Sequence, residues 1–214
     1  SAAQEGTPPT TGPPTAQDTK ELNGAKITFG AMGTEVTIQG YHEDAELLDK
    51  ALAAARAELD RVEDMMTTWR DSPLVRTNDG ANGEPKAHTV AMPAGTRLGL
   101  GGIAKGYGVD RAMQVLIDRG IKNGIVNAGG DLKALGTDAG KPWEVAIKHP
   151  RDRERAIAVV PVSNVCLVTS GDYERFFELN DTRYHHIFDP RTGRPAMDGC
   201  MSATVTAPDA AVAD

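Results

Sequence analysis

The sequence lacks three features that would assign it to a class at once: a cysteine framework, a long apolar run and a basic patch. Its two cysteines, Cys166 and Cys200, have no metal-ligand spacing and are too few for a disulfide framework. They fit either one bridge or, as we favour, two small buried hydrophobic residues. No run of about 18 apolar residues occurs, so no segment is predicted to span a membrane. The formal net charge of -7 argues against an electrostatic nucleic-acid binder.

The first 24 residues have almost no aliphatic side chain before Leu22, and Pro, Thr, Gly and Ala dominate them. This composition is typical of a disordered linker or tether. Because the chain starts at Ser1 without a methionine, we expect that an upstream segment was removed. A polar tether at a processed N-terminus is typical of an exported protein, although a linker between domains would have the same composition.

Residues 25–214 predict a single α+β domain. Residues 25–41 alternate apolar and polar on both sides of a glycine-containing turn, which indicates two strands. Residues 43–70 carry apolar side chains at steps of four and three, which predicts a long amphipathic helix. A second helix is expected within residues 94–120, and strand-like segments follow it. Because runs of strands follow the helices, we expect a mainly antiparallel sheet flanked by a long N-terminal helix and a second helix.

Residues 70–88, RDSPLVRTNDGANGEPKAH, contain several turn and breaker residues and are predicted to form a loop. The next glycine-rich segment, GLGGIAKGYGVD, opens the second helix. Backbone N–H groups at such a helix start can bind a phosphate, and Lys105 is placed to contact it. A purely structural turn explains the glycines equally well.

The segment NAGGDLKALG has a similar character. Gly129-Gly130 permits backbone conformations that other residues do not reach, and Asn127 and Asp131 supply polar groups beside them. Either a hairpin turn or a ligand-facing loop fits this pattern.

Two adjacent histidines mark the segment YHHIFDPRTGRP. In a strand, His185 and His186 point to opposite faces, so they are not expected to bind one metal ion. Asp189 begins a turn in which its carboxylate accepts backbone hydrogen bonds. A structural turn is favoured here over a catalytic dyad. Upstream, three aromatic residues are predicted to lie in the core or in a cleft: Tyr173, Phe176 and Phe177.

Seven segments occur in an order that resembles the ApbE-type FAD:protein FMN transferases over residues 25–214. They are AMGT, MMTTWRDSPL, GGIAKGYGVDRA, VNAGGDLKALG, SGDYERFFE, HHIFDPRTGRP and SATVTAPDAAVAD. The resemblance implies a flavin transferase fold and an enzyme that binds FAD, uses Mg2+ to cleave its diphosphate and attaches FMN to a Thr or Ser of an acceptor protein, releasing AMP. It also implies a bacterial redox-pump subunit as the acceptor. The location it implies is periplasmic or cell-surface, with a lipid anchor in many members.

The resemblance also implies roles for individual residues. Contacts with FAD are implied for Met32, Trp69, Gly101, Lys105 and Phe188. Mg2+ is implied to bind the carbonyl of Gly102 and the carboxylate of Asp214. His186 and Asp189 match the motif His and Asp of the family, one of which would assist proton transfer from the acceptor hydroxyl.

The sequence departs from the family pattern in three places. Only a short loop lies between Asn78 and His88, where the family carries several tens of mostly helical residues. Gly99-Leu100 replaces an Asp-Leu pair, and the chain stops at Asp214, before the Thr or Ser that completes the family's metal site. Two alternatives therefore stay open: a degenerate, non-catalytic FAD-binding module, and an Mg-dependent FAD pyrophosphatase in which water replaces the acceptor hydroxyl.

Overall fold

Antiparallel strands form the main sheet, and two long helices pack against it. The computed structural model describes residues 21–79, 93, 95–152, 154–197 and 199–214. The helices are α1 (Ala45–Met66), α2 (Pro73–Asn78), α3 (Ala104–Asp118) and α4 (Ala210–Ala213). The strands are β1 (Asn23–Ala31), β2 (Thr34–His42), β3 (Asn123–Ala128), β4 (Asp131–Leu135), β5 (Trp143–Lys148), β6 (Ala156–Val162), β7 (Val165–Gly171), β8 (Phe176–Leu179), β9 (Thr182–His185), β10 (Phe188–Asp189), β11 (Arg194–Pro195) and β12 (Ser202–Ala207).

The main sheet has six strands in the order β1-β2-β3-β4-β7-β12, and every neighbouring pair is antiparallel. Strands β5–β6, β8–β9 and β10–β11 form separate two-stranded sheets. Two-residue turns join β1 to β2 at Met32-Gly33 and β3 to β4 at Gly129-Gly130, and all four residues have positive φ. Such turns match the twist of antiparallel strands. The predicted α+β fold with a mainly antiparallel sheet is confirmed.

Helix α1 forms where the sequence predicted a long amphipathic helix. The side chain of Asp44 caps its start by accepting a hydrogen bond from the Leu47 amide at 3.1 Å. Its buried stripe consists of Leu48, Ala51, Leu52, Ala55, Leu59 and Val62. This stripe packs against α3 and the first two strands, and so forms the centre of the main core. A smaller core lies around Trp143, between β5–β6 and the outer face of the sheet.

The structure corrects two sequence predictions about local elements. Residues 73–78 form helix α2 instead of a loop, because Ser72 caps them by accepting from the Val75 amide at 3.0 Å and Pro73 sits in the first turn. Residues 80–88 of the predicted loop lie outside the described residues. Cys166 is buried as expected, but Cys200 is exposed, and the two form no disulfide.

The predicted linker, residues 1–24, overlaps the first strand, which begins at Asn23. Residues 1–20 lie outside the described residues. Among the helices of the described segments, none combines the length and apolar character needed to cross a bilayer.

Replacing Leu59 with alanine tests the packing of α1 against α3. Leu59 is 0% exposed, so we expect Leu59→Ala to lower the free energy of unfolding by about 2 to 5 kcal/mol, through lost burial and the cavity left behind. Urea denaturation measures this change. As a control, Ile117→Ala on α3 removes a side chain that is 41% exposed, and its expected cost is below about 1 kcal/mol. Equal losses in the two variants would contradict the core described for α1 and α3.

Glu58 on α1 is expected to make the free energy of unfolding depend on pH in the acidic range. The guanidinium of Arg61, together with that of Arg111 from α3, lowers the pKa of Glu58 from 4.5 to about 2, against the opposing effect of burial. A lowered folded-state pKa stabilises the protein above the unfolded-state value, and this contribution is lost as pH falls from 4.5 to about 2. We therefore expect Glu58→Gln to flatten the fall in unfolding free energy across this range, measured by urea denaturation. Glu46→Gln, at an exposed surface pair, should keep the wild-type slope.

Candidate functional site

A cleft of about 600 Å³ lies where the C-terminal end of α1 faces the start of α3. Its walls come from the β1–β2 turn, residues 66–69, the glycine-rich segment 99–105, Gly129, the end of β7, and residues 174–175 and 186–187. Its volume lies in the range of about 300 to 1,000 Å³ that is usual for ligand sites. Seven of the nine residues implied by the family resemblance line it: Met32, Trp69, Gly101, Gly102, Lys105, His186 and Asp214.

A hydrogen bond joins the β1–β2 turn to α1. The amide of Met32 donates to a carboxylate oxygen of Glu63 at 2.7 Å. The Met32 side chain is 7% exposed and packs into the core, where a Cβ on Gly108 would lie 2.9 Å from its sulfur. Met32 lines the cleft, and its hydrogen bond to Glu63 and its packing in the core fix its position.

Trp69 is the large aromatic side chain of the cleft. It is 66% exposed, and the guanidinium carbon of Arg175 lies 5.6 Å from the centre of its ring. The far edge of the ring comes close to Gly33 in the β1–β2 turn. An exposed indole at the cleft wall offers a face on which a flat heterocycle can stack.

The glycine-rich segment is open to the cleft. A Cβ added to Gly101 or Gly102 would have no atom within 4 Å, so the backbone there is accessible to a ligand. Lys105 follows in the first turn of α3, and its ammonium donates to Asp131 Oδ2 at 2.5 Å. Burial raises the pKa of Asp131, while the charge of Lys105 opposes that increase. The structure therefore places a cation beside accessible backbone at the start of a helix.

Asp214 reaches the cleft because α4 packs closely on α3. Its Oδ2 accepts from the amide of Gly106 at 3.1 Å. A Cβ on Gly106 would lie 2.4 Å from the Ala210 carbonyl oxygen and 2.8 Å from the Asp214 Cβ, so only glycine permits this approach. Near the start of α4, the carboxylate of Asp110 on α3 accepts a hydrogen bond from the Ala211 amide at 2.9 Å.

The oxygen donors at this place suit a hard cation. Mg2+ prefers oxygen ligands and commonly takes one or two carboxylates, with water and phosphate oxygens completing its coordination. The Asp214 carboxylate and the Gly102 segment line the same cleft, so these residues fit such an ion. Among the described residues, no group of three or more His, Cys, Asp or Glu side chains could hold a metal by itself.

The two histidines have different surroundings, although only His185 belongs to a strand, since β9 ends there and His186 follows it. His185 is buried, with Nε2 2.7 Å from the Ala196 carbonyl oxygen. His186 is exposed and lines the cleft, and its Nδ1 lies 3.2 Å from the Arg175 carbonyl oxygen. Only His186 is therefore placed to act on a ligand in the cleft.

Phe188 and Asp189 are not among the residues that line the cleft. Phe188 is 56% exposed in the short strand β10. Asp189 accepts from the amide of Arg191 at 2.9 Å and pairs with its guanidinium, which lowers the pKa of Asp189. The structural turn that the sequence favoured is present. The roles implied for both residues stay predictions.

Sequence reasoning missed three charged residues of the site and misplaced two aromatic ones. Glu63, Glu174 and Arg175 line the cleft, but only their positions in the fold identify them. Phe176 and Phe177, predicted for the core or a cleft, are 40% and 61% exposed on the β8–β9 hairpin, which stands apart from the main sheet. Phe177 stacks on Tyr184 at 5.1 Å between ring centres.

Comparison with known proteins identifies the family. The model of the ApbE family matches residues 84–214, more than half of the chain. A protein of Salmonella typhimurium named FAD:protein FMN transferase is 40% identical over 117 residues, covering 54% of this chain and 33% of that protein. Proteins of the same name are 40% identical in Treponema pallidum, covering 59% and 38%, and 34% identical in Rhodobacter capsulatus, covering 86% and 32%. The chain thus spans about a third of the length of these relatives.

Solved structures agree with this relation. The crystal structure of an ApbE protein from Thermotoga maritima matches with a TM-score of 0.76 at 25% identity, covering 89% of this chain and 84% of that one. The flavin transferase ApbE from Vibrio cholerae matches with a TM-score of 0.72 at 23% identity, covering 90% and 84%, which supports the fold alone. The chain belongs to the ApbE family, and the resemblance seen in its motifs is confirmed.

Replacing Gly106 with alanine tests the contact that places Asp214. The added methyl group would collide with the backbone of α4, so we expect Gly106→Ala to lower the free energy of unfolding by about 1 to 3 kcal/mol. Hydrogen exchange should also show faster opening at the amides of Ala213 and Asp214, which pair within α4. In contrast, Gly30→Ala places its methyl group in open space on β1, and a change within about 0.5 kcal/mol is expected. Unchanged stability and exchange in Gly106→Ala would show that α4 does not depend on this contact.

Proposed function

We propose that this chain carries the site of an FAD:protein FMN transferase. The observation that carries the proposal is the single cleft that joins an exposed indole, a cation beside accessible backbone, a carboxylate and a histidine. These are the groups that a flavin, a diphosphate, a divalent cation and a proton transfer require, respectively. Relatives that bear this enzyme name share 34 to 40% identity with the chain, which supports the same assignment.

FAD would extend along the cleft with its flavin at Trp69 and its diphosphate at the start of α3. Lys105 and the amides of the glycine-rich segment would bind the diphosphate oxygens, because cations and helix-start N–H groups both favour negative charge. Asp214 and the Gly102 carbonyl would hold Mg2+, which supplies charge neutralisation for the diphosphate when bound. The Mg2+ dependence is part of the proposal.

In the proposed reaction, the hydroxyl oxygen of an acceptor Thr or Ser attacks the phosphorus of the FMN half of FAD. A new P–O bond forms, the bond to the AMP phosphate breaks, and AMP leaves with the bridging oxygen. His186 would take the hydroxyl proton. When its Nδ1–H donates to the Arg175 carbonyl, Nε2 is left as the acceptor. Asp189 is engaged by Arg191, so we assign the base to His186.

The proposed partner is an acceptor protein such as a subunit of a bacterial redox pump, which would bring its hydroxyl to the open side of the cleft. The proposed location is the periplasm or cell surface, with an N-terminal membrane tether. The Pro- and Thr-rich composition of residues 1–24 supports this location.

Incubation with FAD, Mg2+ and a threonine-bearing acceptor domain tests the proposal. Chromatography that resolves FAD, FMN and AMP, together with a test for covalent flavin on the acceptor, should show AMP and a labelled acceptor in equal amounts. We expect Asp214→Ala to lower this rate roughly 100-fold or more, because it removes a carboxylate ligand of the cation. Asp118→Ala, at an exposed carboxylate of α3, should leave the rate unchanged.

Each contrary result identifies an alternative. Free FMN and AMP without a labelled acceptor would favour the FAD pyrophosphatase. FAD that binds but is not consumed would favour the non-catalytic binding module. Full activity of Asp214→Ala would remove the metal role assigned to that residue.

A further inference from the structure

Asp131 is a buried carboxylate, and Lys105 is the side chain that pairs with it. It is the first residue of β4, directly after the Gly129-Gly130 turn, and it is 0% exposed. Its Oδ2 accepts from Lys105, while its Oδ1 has no hydrogen-bond partner among the described residues. Burying a carboxylate is costly unless it is paired, and a half-satisfied one is a poor stabiliser of a core. Stability therefore does not explain an aspartate at this position.

The lysine that pairs with Asp131 faces the cleft. Lys105 lies at the cleft wall, and its side chain is 26% exposed, against 1% for that of Asp131. An ammonium has three N–H donors, and Asp131 takes one of them, which leaves donors for a ligand. A lysine side chain otherwise has a flexible four-carbon stem, which must be ordered when a ligand binds. The ion pair orders this stem before any ligand arrives.

A second lysine–aspartate pair joins the same two elements without reaching the cleft. Lys133 on β4 donates to Asp110 on α3 at 2.7 Å, and neither residue lines the cleft. The Lys133–Asp110 pair therefore already links α3 to β4 outside the cleft. What distinguishes the Lys105–Asp131 pair is that its cation faces the cleft.

We propose that Asp131 is a positioning residue, which holds the Lys105 ammonium at the cleft wall so that it meets the diphosphate of a bound dinucleotide. The inference rests on the proposed function in one respect, since it takes FAD as the ligand of the cleft. Asp131 itself does not touch the reacting atoms. It acts by reducing the ordering that Lys105 undergoes on binding and by directing its remaining N–H donors.

Two flavins distinguish this role from a structural one. FAD carries the diphosphate and riboflavin does not, so only FAD affinity should depend on the placement of Lys105. In metal-free buffer, we expect Asp131→Asn to weaken FAD binding at least about tenfold, as expected for a weakened charged hydrogen bond, and to change riboflavin binding less than about twofold. Flavin fluorescence titration measures both, and thermal melting checks that the variant is folded.

Two further variants complete the test. Lys133→Met breaks the other α3–β4 pair and leaves the hydrogen bond from the Ala211 amide to Asp110 in place. Its ratio of FAD to riboflavin affinity should equal that of the wild type. In a double-mutant cycle, Lys105→Met with Asp131→Asn should bind FAD no more weakly than Lys105→Met alone, because Asp131 acts only through the lysine. If Asp131→Asn does not fold, Asp131→Glu displaces the ammonium while keeping the charge, and it should show the same selective loss for FAD.

The outcomes separate the two proposals. Wild-type protein that binds FAD, with Asp131→Asn binding it equally well or losing both flavins to the same degree, would overturn the positioning role alone. Wild-type protein that binds neither flavin, in metal-free buffer and also with Mg2+, would overturn the proposed function and this inference with it. A selective loss of FAD affinity in Asp131→Asn, absent from Lys133→Met, would support the positioning role.

Discussion

The site depends on how closely the β1–β2 turn and α4 pack against the first two turns of α3. A Cβ on Gly108 would lie 2.9 Å from the sulfur of Met32, and one on Gly106 would lie 2.4 Å from the carbonyl oxygen of Ala210. Glycine at both positions lets the β1–β2 turn approach one face of the helix and α4 another. The same turns carry Lys105. Three separate parts of the chain therefore meet around one helix start, and the cleft is the space that remains between them.

Contacts within the protein hold two of the charged side chains of the cleft in place. Lys105 is held by Asp131, and the guanidinium of Arg175 lies over Trp69. Electrostatic interactions in a partly dehydrated cleft are stronger than those on the surface, where ion pairs contribute little. Lys105 is thus kept in a defined place by a buried group that a ligand need not displace. This is what recognition of a diphosphate requires, and it agrees with the function proposed for the cleft.

The fold and the residues of the cleft support the proposed function to different degrees. A shared fold hosts many activities, so the match in architecture to ApbE structures does not by itself define a reaction. Lys105, His186 and Asp214 line one cleft. In the proposed function each would supply a different group to the same reaction. The chain spans about a third of the length of its named relatives, so the complete reaction is a proposal for this chain.

The sequence by itself determined the features that depend on neighbouring residues: the apolar stripe of α1, the glycine turns and the motifs of the family. It misjudged α2, since Ser72-Pro73 suits a loop and a capped helix equally. It misplaced Phe176 and Phe177, because a local pattern cannot distinguish a strand of the main sheet from one in a separate hairpin. Only the tertiary structure joined Lys105 to Asp131, 26 residues away, and Gly106 to Asp214, 108 residues away. The physical reason is that periodicity and turn chemistry act over a few residues, whereas the partner of a buried charge is chosen by how helices and strands pack.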